Sequence, residues 1–381
     1  MNSQTLRSTK LSLTAVLVAA SLFAAADKPA SAAAAGPEAA AVASGIGAAE
    51  YETFLQDKFG ISLPDRFTKG DFLVALAKAL QLKPEGDAAA FRDLAADSPY
   101  AQAAQALREQ GVLSADTLSA SAPLGSVNAV QIALKAAGLK ELAYTYPAAK
   151  TDAALAKLNV RAAALGTQGS QELAAAVDSG LLAPSFYADV RPGAAASRDF
   201  AEWLIGQALS FTGQYKHYLG SVGDPDIYAK LTDAYRDSDI IQSPELQKIV
   251  DTALERNLVT GYNLKDERYE PNFVESLTLV YGHSDLKHAL QLIGLLRGEG
   301  IDAKVQFEPK TSAFVYLKEW GDPGVSDLYE VKQIANGNYI EYAKEYDIAF
   351  EFGSVADKQR FDSIVQAYAK KNEDNQPGLI A

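Results

Sequence analysis

The chain has 381 residues, a formal net charge of −13, no cysteine and three histidines. This composition excludes disulfide frameworks, thiolate metal sites and cysteine nucleophiles, and it leaves little room for a histidine-rich metal centre. An acidic chain also argues against nucleic-acid binding, which needs clustered lysine and arginine, but it allows a local basic pocket for an anionic ligand. The length and the 48% share of hydrophobic residues indicate two or three globular domains.

The first 26 residues have the three parts of a secretory signal peptide. Arg7 and Lys10 precede an apolar run at 11–26, and small residues at 24–26 or 30–32 provide cleavage sites. The run is shorter than the roughly 20 residues that span a bilayer, so we predict cleavage and no membrane contact of the mature chain. Residues 27–49 are mostly alanine and are predicted to form a flexible leader.

A recurring helix pattern follows. Thr68 is a candidate N-cap with Asp71 three residues later, so this segment approximates a capping box, and apolar residues continue at helical spacing to Leu80. A second type of helix starts near Tyr100 and is expected to end at Gly111 in a left-handed conformation. The capped type returns at 124–139 and 197–209, and the second type returns at 173–182 and 235–262, followed by Tyr269-Glu270-Pro271.

These residues resemble the S-layer homology family. Its units read aromatic-x-Asp-Val, Trp-Ala, a helix to Gly-Ile/Val, a Gly-Asp-Gly-x-Phe-x-Pro loop, and Thr-Arg-Ala-Glu-Phe at the start of a second helix. Thr68-Lys69-Gly70-Asp71-Phe72 is similar to the last motif, with lysine for arginine and aspartate for glutamate. The copy at 125–128 lacks both charges, and Ser197-Arg198-Asp199-Phe200 has both but is one residue short. The resemblance covers 59–271, and Tyr100 stands for the family tryptophan.

The resemblance implies three units around a pseudo-threefold axis, with grooves that bind anionic secondary cell wall polymers, including pyruvylated ones. A carboxylate-bearing sugar needs a cation, a small residue for close approach and an aromatic face. A different interpretation makes the same residues helix caps, solvated charges and packing aromatics. The candidate cations are Lys69 and Arg198, the small residues Gly111 and Gly261, the aromatic faces Tyr100 and Tyr269, and the helix-start residues Thr68, Asp71, Ser197 and Asp199.

After residue 271 the pattern becomes mixed. Alternating apolar residues predict strands at 277–281, 303–307, 313–317 and 348–352, and helical spacing predicts helices at 284–296 and 361–368. The segment 325–334 fits a helix capped by Ser326, and Asn336-Gly337 alternatively marks a hairpin turn. With the helix, the order is βαββαβ, a ferredoxin-like arrangement. The predicted fold class is therefore a mainly α repeat domain at 50–271, followed by a small α+β domain at 272–381.

No catalytic constellation emerges from the sequence. His283-Ser284-Asp285 contains the three residue types of a hydrolase triad, but neighbours in sequence cannot form its geometry. We predict an exported, non-catalytic protein without cofactor or metal at the wall of a Gram-positive bacterium. Its expected partners are an anionic secondary cell wall polymer or peptidoglycan-linked glycan, together with other surface proteins. Two alternatives stay open: an exported enzyme on wall glycans that acts through residues 272–381, and a self-assembling scaffold subunit.

Overall fold

The first half of the described chain is helical. The computed structural model describes residues 47–86 and 91–369, so the predicted signal peptide at 1–26 and the leader up to residue 46 lie outside the described residues. The helices of this half are α1 (Ala48–Phe59), α2 (Lys69–Ala79), α3 (Ala101–Glu109), α4 (Ser126–Ala136), α5 (Lys140–Tyr144), α6 (Ala148–Lys157), α7 (Gly166–Asp178) and α8 (Arg198–Phe211). Because α1 begins at Ala48, the end of the predicted leader is helical.

Three of these helices end in the same way. Helices α1, α3 and α7 are followed by Gly60, Gly111 and Gly180, with φ values of 59°, 72° and 78°. Glycine adopts this left-handed conformation without the steric cost of a Cβ atom, so it is suited to ending a helix. Each glycine precedes apolar residues and a loop, and the chain then enters a second helix, which is α2, α4 or α8 respectively.

The three helix pairs contact one another in a closed cycle. Helix α3 packs on α2, α7 packs on α4 and α1 packs on α8, so each first helix lies on the second helix of the preceding pair. The starts of the second helices are joined in the same order. The joining hydrogen bonds run from Lys69 N to Ala122 O at 2.8 Å, from Ser126 N to Ala194 O at 2.8 Å, and from Leu63 N to Glu202 Oε1 at 2.9 Å.

One member of this cycle differs from the sequence prediction. The sequence suggests that the helix pattern at 235–262 supplies the third first helix, whereas the structure packs that segment against the sheet and uses α1 instead. Gly60-Ile61 follows α1 in the same way as Gly111-Val112 follows α3. This shared pair is the sequence signal that α1 is a first helix. The signal is weak because α1 follows an alanine-rich segment and fully buries only Tyr51, Phe54 and Leu55.

Tyr51 anchors α1 in the helical core. Its ring makes edge contacts with Trp203 and Tyr215, at centroid distances of 5.3 and 4.8 Å. Its hydroxyl hydrogen bonds with Ser210 Oγ at 2.8 Å and accepts from Gln207 Nε2 at 3.2 Å. Edge contacts between aromatic rings and a satisfied hydroxyl make a buried tyrosine favourable, so α1 is an integral part of the helical core.

The second half of the described chain contains a six-stranded antiparallel sheet. Its strands are β1 (Gly220–Ser221), β2 (Gly261–Lys265), β3 (Thr278–His283), β4 (Ala303–Tyr316), β5 (Tyr329–Gln333) and β6 (Tyr339–Phe352), and its helices are α9 (Ile227–Arg236), α10 (Pro244–Glu255), α11 (Leu286–Gly298) and α12 (Val355–Ala369). The order is β1-β4-β6-β3, with β2 on the second half of β4 and β5 on the first half of β6. Strands β4 and β6 pair along their whole length.

The predicted fold class is wrong, because the described chain is a mixed α/β fold rather than a mainly α repeat domain with a ferredoxin-like βαββαβ domain. The predicted strands at 303–307 and 313–317 are one strand, β4, which continues through Pro309. The predicted helix at 325–334 is absent; its residues 329–333 form β5, and Gly337, at a φ of 88°, turns the chain into β6. Alternation of Tyr329 and Val331 favours the strand over the helix.

The sheet has one apolar and one polar face, as alternation along its strands requires. Val305, Phe307, Ile348 and Phe350 point to the apolar face and pack with α9, α11 and α12. The side chains that alternate with them along β4 and β6 are mostly polar, with Ala349 as an apolar exception. Part of this polar face contacts the helical half, and the described residues belong to one compact unit.

A buried ion network joins the two halves. Glu351 accepts hydrogen bonds from Lys216 Nζ and Val274 N, both at 2.7 Å. Lys304 Nζ lies 3.2 Å from Glu50 Oε1 and 3.7 Å from Glu351 Oε1, so it links α1 to the sheet. Burial outweighs the nearby carboxylates and lowers the pKa of the Lys216 ammonium. These partners compensate each other's loss of hydration.

Candidate functional site

The start of α2 carries a complete capping box. Thr68 Oγ1 accepts from Asp71 N at 3.2 Å, and Asp71 Oδ2 accepts from Thr68 N and Thr68 Oγ1, each at 2.8 Å. Two backbone donors at the helix start are therefore satisfied, and the carboxylate lies where the helix dipole favours a negative charge. The predicted residues Thr68 and Asp71 form one rigid unit.

Tyr100 packs against this unit. A Cβ atom on Gly70 would lie 2.7 to 2.8 Å from three atoms of the Tyr100 ring, so the ring rests directly on the glycine backbone. The Tyr100 hydroxyl donates to Asp71 Oδ1 at 3.3 Å. The third predicted residue, Tyr100, thus joins Thr68 and Asp71, and Gly70 provides the close approach.

A groove opens beside Tyr100, between α2, the start of α3 and the loop after α1. It is a cavity of about 400 Å³. Lys78 lies on its wall, and its Nζ donates to Gly60 O at 3.3 Å while the side chain stays exposed. The groove combines a cation, a small residue and an aromatic ring. Its lining residues are Gly60, Ile61, Ser62, Leu63, Pro64, Asp71, Val74, Ala75, Lys78, Pro99 and Tyr100.

Two predicted residues of this unit lie outside the groove lining. Lys69 is half-buried and makes no ion pair with any residue of the described ranges. Burial lowers the pKa of its ammonium, and the charge of Asp93 partly opposes that shift. Gly111 ends α3 with nothing within 4 Å of the position of an added Cβ atom, and it does not line this groove. Lys78 and Gly60 are the lysine and the glycine that line the groove.

The start of α8 places Arg198 among carboxylates. Its guanidinium lies 3.3 Å from Glu52, 3.6 Å from both Asp65 and Asp199, and 4.0 Å from Glu202. The Glu52 charge is the main cause that raises the pKa of Arg198. Four carboxylates around one cation make this helix start acidic, which is unfavourable for an anionic ligand. Ser197 only caps the helix, accepting from Phe200 N at 3.3 Å.

The remaining predicted residues lie in the sheet half. Gly261 begins β2 and pairs with Phe314 of β4, where a Cβ atom would lie 2.6 Å from the Ala313 carbonyl oxygen. Tyr269 is exposed, and its carbonyl accepts from Gln306 Nε2 at 3.1 Å. Neither residue lies with the helix starts, so the structure does not assemble them into a third groove.

Lys78 is not among the predicted site residues, although its spacing from Asp71 is a signal for it. Asp71 and Lys78 are seven residues apart, which is two helical turns, so both side chains lie on the same side of α2. Tyr100 shares this groove with them. The contact between α3 and α2 was not readable from the sequence, and only that contact shows which lysine stands beside the ring.

The sheet contains a pair of neighbouring carboxylates whose pKa values are shifted in opposite directions. Glu308 and Asp347 are cross-strand neighbours with exposures of only 4% and 7%. Burial raises the pKa of Glu308, with partial opposition from Lys265. Burial also opposes ionisation of Asp347, but hydrogen bonds from Lys265 and Lys310 outweigh it and hold its pKa below the ordinary value. Both carboxylates are therefore almost entirely shielded from solvent.

No protein-family model matches this chain, and no curated protein matches its sequence. Within residues 47–86 and 91–369, no helix combines the length and apolarity that a membrane crossing requires. The same part of the chain contains no cluster of three or more histidine, aspartate or glutamate residues arranged to hold a metal ion. The S-layer homology resemblance therefore rests on the residues and helix pairs described above.

Proposed function

We propose that this protein is an exported, non-catalytic cell-envelope protein that binds an anionic secondary cell wall polymer in the groove beside Tyr100. One observation carries the proposal: the groove brings Lys78, Gly60 and Tyr100 together on a wall fixed by the capping box of Asp71. The cycle of three helix pairs adds support, since the family that the sequence resembles binds such polymers between its units.

Each part of the groove has a role in binding a charged sugar. The Lys78 ammonium pairs with a ligand carboxylate, and the Tyr100 ring offers an apolar surface to a sugar ring. Asp71 already accepts hydrogen bonds from Thr68 and Tyr100, and it can accept another from a sugar hydroxyl. Gly60 has no side chain, so the ligand can approach its backbone closely.

Binding is expected at this groove alone among the three helix starts. Arg198 is already paired with four carboxylates, and the start of α4 at Gly125 has neither a charged residue nor a side-chain cap. A single site lacks the gain from multiple linked contacts, so affinity for an isolated polymer repeat should be modest.

The test is sedimentation of the purified protein with Gram-positive sacculi, with and without their secondary polymer. We expect retention only when the polymer is present. Lys78→Gln should raise the polymer concentration at half-saturation about two- to fivefold, as expected for the loss of one exposed ion pair. Lys83→Gln is the matched control, because Lys83 is an exposed lysine outside the groove. Equal retention with and without the polymer, or equal binding of the two variants, rejects the proposal.

A scaffold role is the second candidate, and exposed apolar side chains favour it. They concentrate between Phe314 and Leu328, where Trp320 is 60% and Val325 is 100% exposed. Such a concentration is typical of a contact surface. Light scattering at rising concentration tests self-association, with Trp320→Ser as the variant. A monomer at every concentration excludes this candidate without bearing on polymer binding.

A further inference from the structure

Strand β3 lies at an edge of the sheet, and its outer side is not paired with any strand of the described residues. It pairs with β6 residue by residue, from Thr278 opposite Glu351 to His283 opposite Tyr346, so no bulge interrupts it. A strand at an edge presents backbone N–H and carbonyl groups to which another extended strand can bind.

The pairing of β4 and β6 determines which residues of β3 present these groups. Leu219 N donates to Val305 O at 2.8 Å, so the backbone groups of Val305 point to β1 and away from β6. Opposite residues of an antiparallel pair point either towards each other or apart, and the two cases alternate along the strands. Phe350, opposite Val305, therefore points to β3 and bonds with Leu279. The residues of β3 that point outwards are Thr278, Val280 and Gly282.

The outward groups of Val280 and Gly282 are free to bind. Each of these residues presents an N–H and a carbonyl that have no backbone partner within the described chain. The N–H of Thr278 bonds to Glu275 O, so Thr278 presents only its carbonyl. The Val280 side chain is 54% exposed. The edge thus combines unused hydrogen-bonding groups with an exposed apolar side chain.

The other edge strands of the described sheet are protected against such pairing. Strand β1 has only two residues, β2 contains Lys265, and β5 contains Glu330 and Lys332. Short strands and charged residues at an edge are the usual means by which proteins prevent pairing with another chain. Strand β3 has six residues and contains no proline, lysine, arginine, aspartate or glutamate. It is therefore the edge best suited to receive a further strand.

We infer that β3 pairs with β3 of a second copy of this chain, in antiparallel orientation and with the two Val280 residues opposite each other. The Val280 residues then exchange a pair of backbone hydrogen bonds, and Gly282 N–H of each copy donates to Thr278 O of the other. Leu279 lies opposite Tyr281 of the other copy, in the position where facing side chains approach most closely.

The composition of β3 favours a second copy over an unrelated strand. A two-fold axis at Val280 places each residue of the strand against a residue of the same strand, so a charge at its centre would face an identical charge. Leu279 and Tyr281 are half-buried against the core under the sheet, and their pairing extends that core across the edge. The nearby carboxylates of Asp347 and Glu351 are buried in ion pairs with lysines, so they do not repel the second copy.

Sedimentation velocity of the purified protein, from about 5 µM to about 1 mM, tests the inference. The interface is small, so we expect a dimer with a Kd on the order of 0.1 mM. Val280→Lys and Val280→Glu should each raise Kd at least about tenfold, because like charges then face each other. A mixture of the two variants should associate about as well as the unchanged protein, because lysine then faces glutamate.

Val259→Lys is the matched control, because Val259 is 39% exposed and precedes β2 at the opposite edge of the sheet. Its Kd should equal that of the unchanged protein. A monomer at every concentration, equal effects of the two lysine variants, or a mixture that associates no better than its separate components overturns the inference.

Amide hydrogen exchange gives a second test that needs no variant. Exchange at Val280 and Gly282 should slow as the protein concentration rises, whereas Leu279, already bonded to β6, should change little. Concentration-independent exchange at Val280 and Gly282 also overturns the inference. No residue of β3 lines the groove beside Tyr100, so the inference does not depend on polymer binding.

Discussion

Replacing Gly70 with alanine should damage both stability and the groove. The new Cβ atom would lie 2.7 to 2.8 Å from three ring atoms of Tyr100, well inside normal contact distance. Overpacking of this kind costs about 1–3 kcal/mol, while the better helix propensity of alanine returns up to about 1 kcal/mol. Tyr100 is only half-buried and can swing outward, so we expect a net loss of about 1–2 kcal/mol.

Thermal unfolding followed by circular dichroism measures this loss. For a chain of this size we expect Tm to fall by roughly 1–3 °C, because the entropy of unfolding grows with chain length. Gly294→Ala is the matched control, since Gly294 lies inside α11, is exposed, and would place its Cβ no closer than 3.6 Å to the Tyr228 hydroxyl. That variant should gain about 0.5–1 kcal/mol. The two glycines therefore predict opposite signs for the same substitution.

A double variant identifies the cause. Tyr100→Ala removes the ring, so Gly70→Ala should cost less in that background, and the difference is the coupling energy. Gly70→Ala should also reduce sacculus retention, because the displaced ring no longer forms the groove wall. A Gly70→Ala protein as stable as the Gly294→Ala protein would refute the packing of Tyr100 on Gly70 and the groove built on it.

Three further predictions concern charges. Glu351→Gln should lower the urea unfolding free energy by about 3–5 kcal/mol, because it leaves the buried Lys216 uncompensated; a loss below about 1 kcal/mol would contradict the network. Lys69→Ala should leave sacculus retention unchanged, since this side chain does not line the groove. Reduced retention would show that Lys69, rather than Lys78, is the cation that binds the polymer. Asp347, whose pKa is held below its ordinary value by Lys265 and Lys310, contributes stability that is present above the pKa of an unfolded aspartate and is lost as the pH falls through the folded pKa. In Asp347→Asn the urea midpoint of unfolding should fall less steeply as the pH is lowered. An unchanged pH dependence in the acid range would contradict this contribution of Asp347.

Local chemistry made the helix starts readable from the sequence. Thr68 and Asp71 form the capping box that their spacing indicates, and Gly111 has the left-handed conformation expected at a helix end. Ser197 likewise caps α8. Each of these features depends on residues within one turn of each other, so no distant contact is needed to predict it.

The sheet was harder to predict from the sequence, because its strands form by pairing with segments that are distant in the sequence. Pro309 suggests a break, yet β4 continues through it opposite Tyr346 of β6. Ser326 resembles a helix cap, but its hydroxyl instead accepts from Leu328 N ahead of β5. In both places the local pattern is compatible with two structures, and pairing with β6 decides between them.

The groove shows the same limit at the level of function. The sequence predicted a cation, a small residue and an aromatic ring, and residues of these types line the groove. It assigned the first two to Lys69 and Gly111, whereas Lys78 and Gly60 line the groove with Tyr100. These assignments depend on how α3 lies across α2, a contact between segments that no spacing rule encodes.

The closure of α1 on α8 also constrains the order in which this chain can fold. Tyr51 and Ser210, which hydrogen bond to each other, are 159 residues apart in the sequence. During synthesis, α1 emerges early, but its main partner, α8, follows only much later. The aromatic side chains of α1 therefore stay solvent-exposed for most of that time, and such a long-range contact slows folding. A chain shortened before Arg198 should accordingly bind chaperones rather than form a stable helical core.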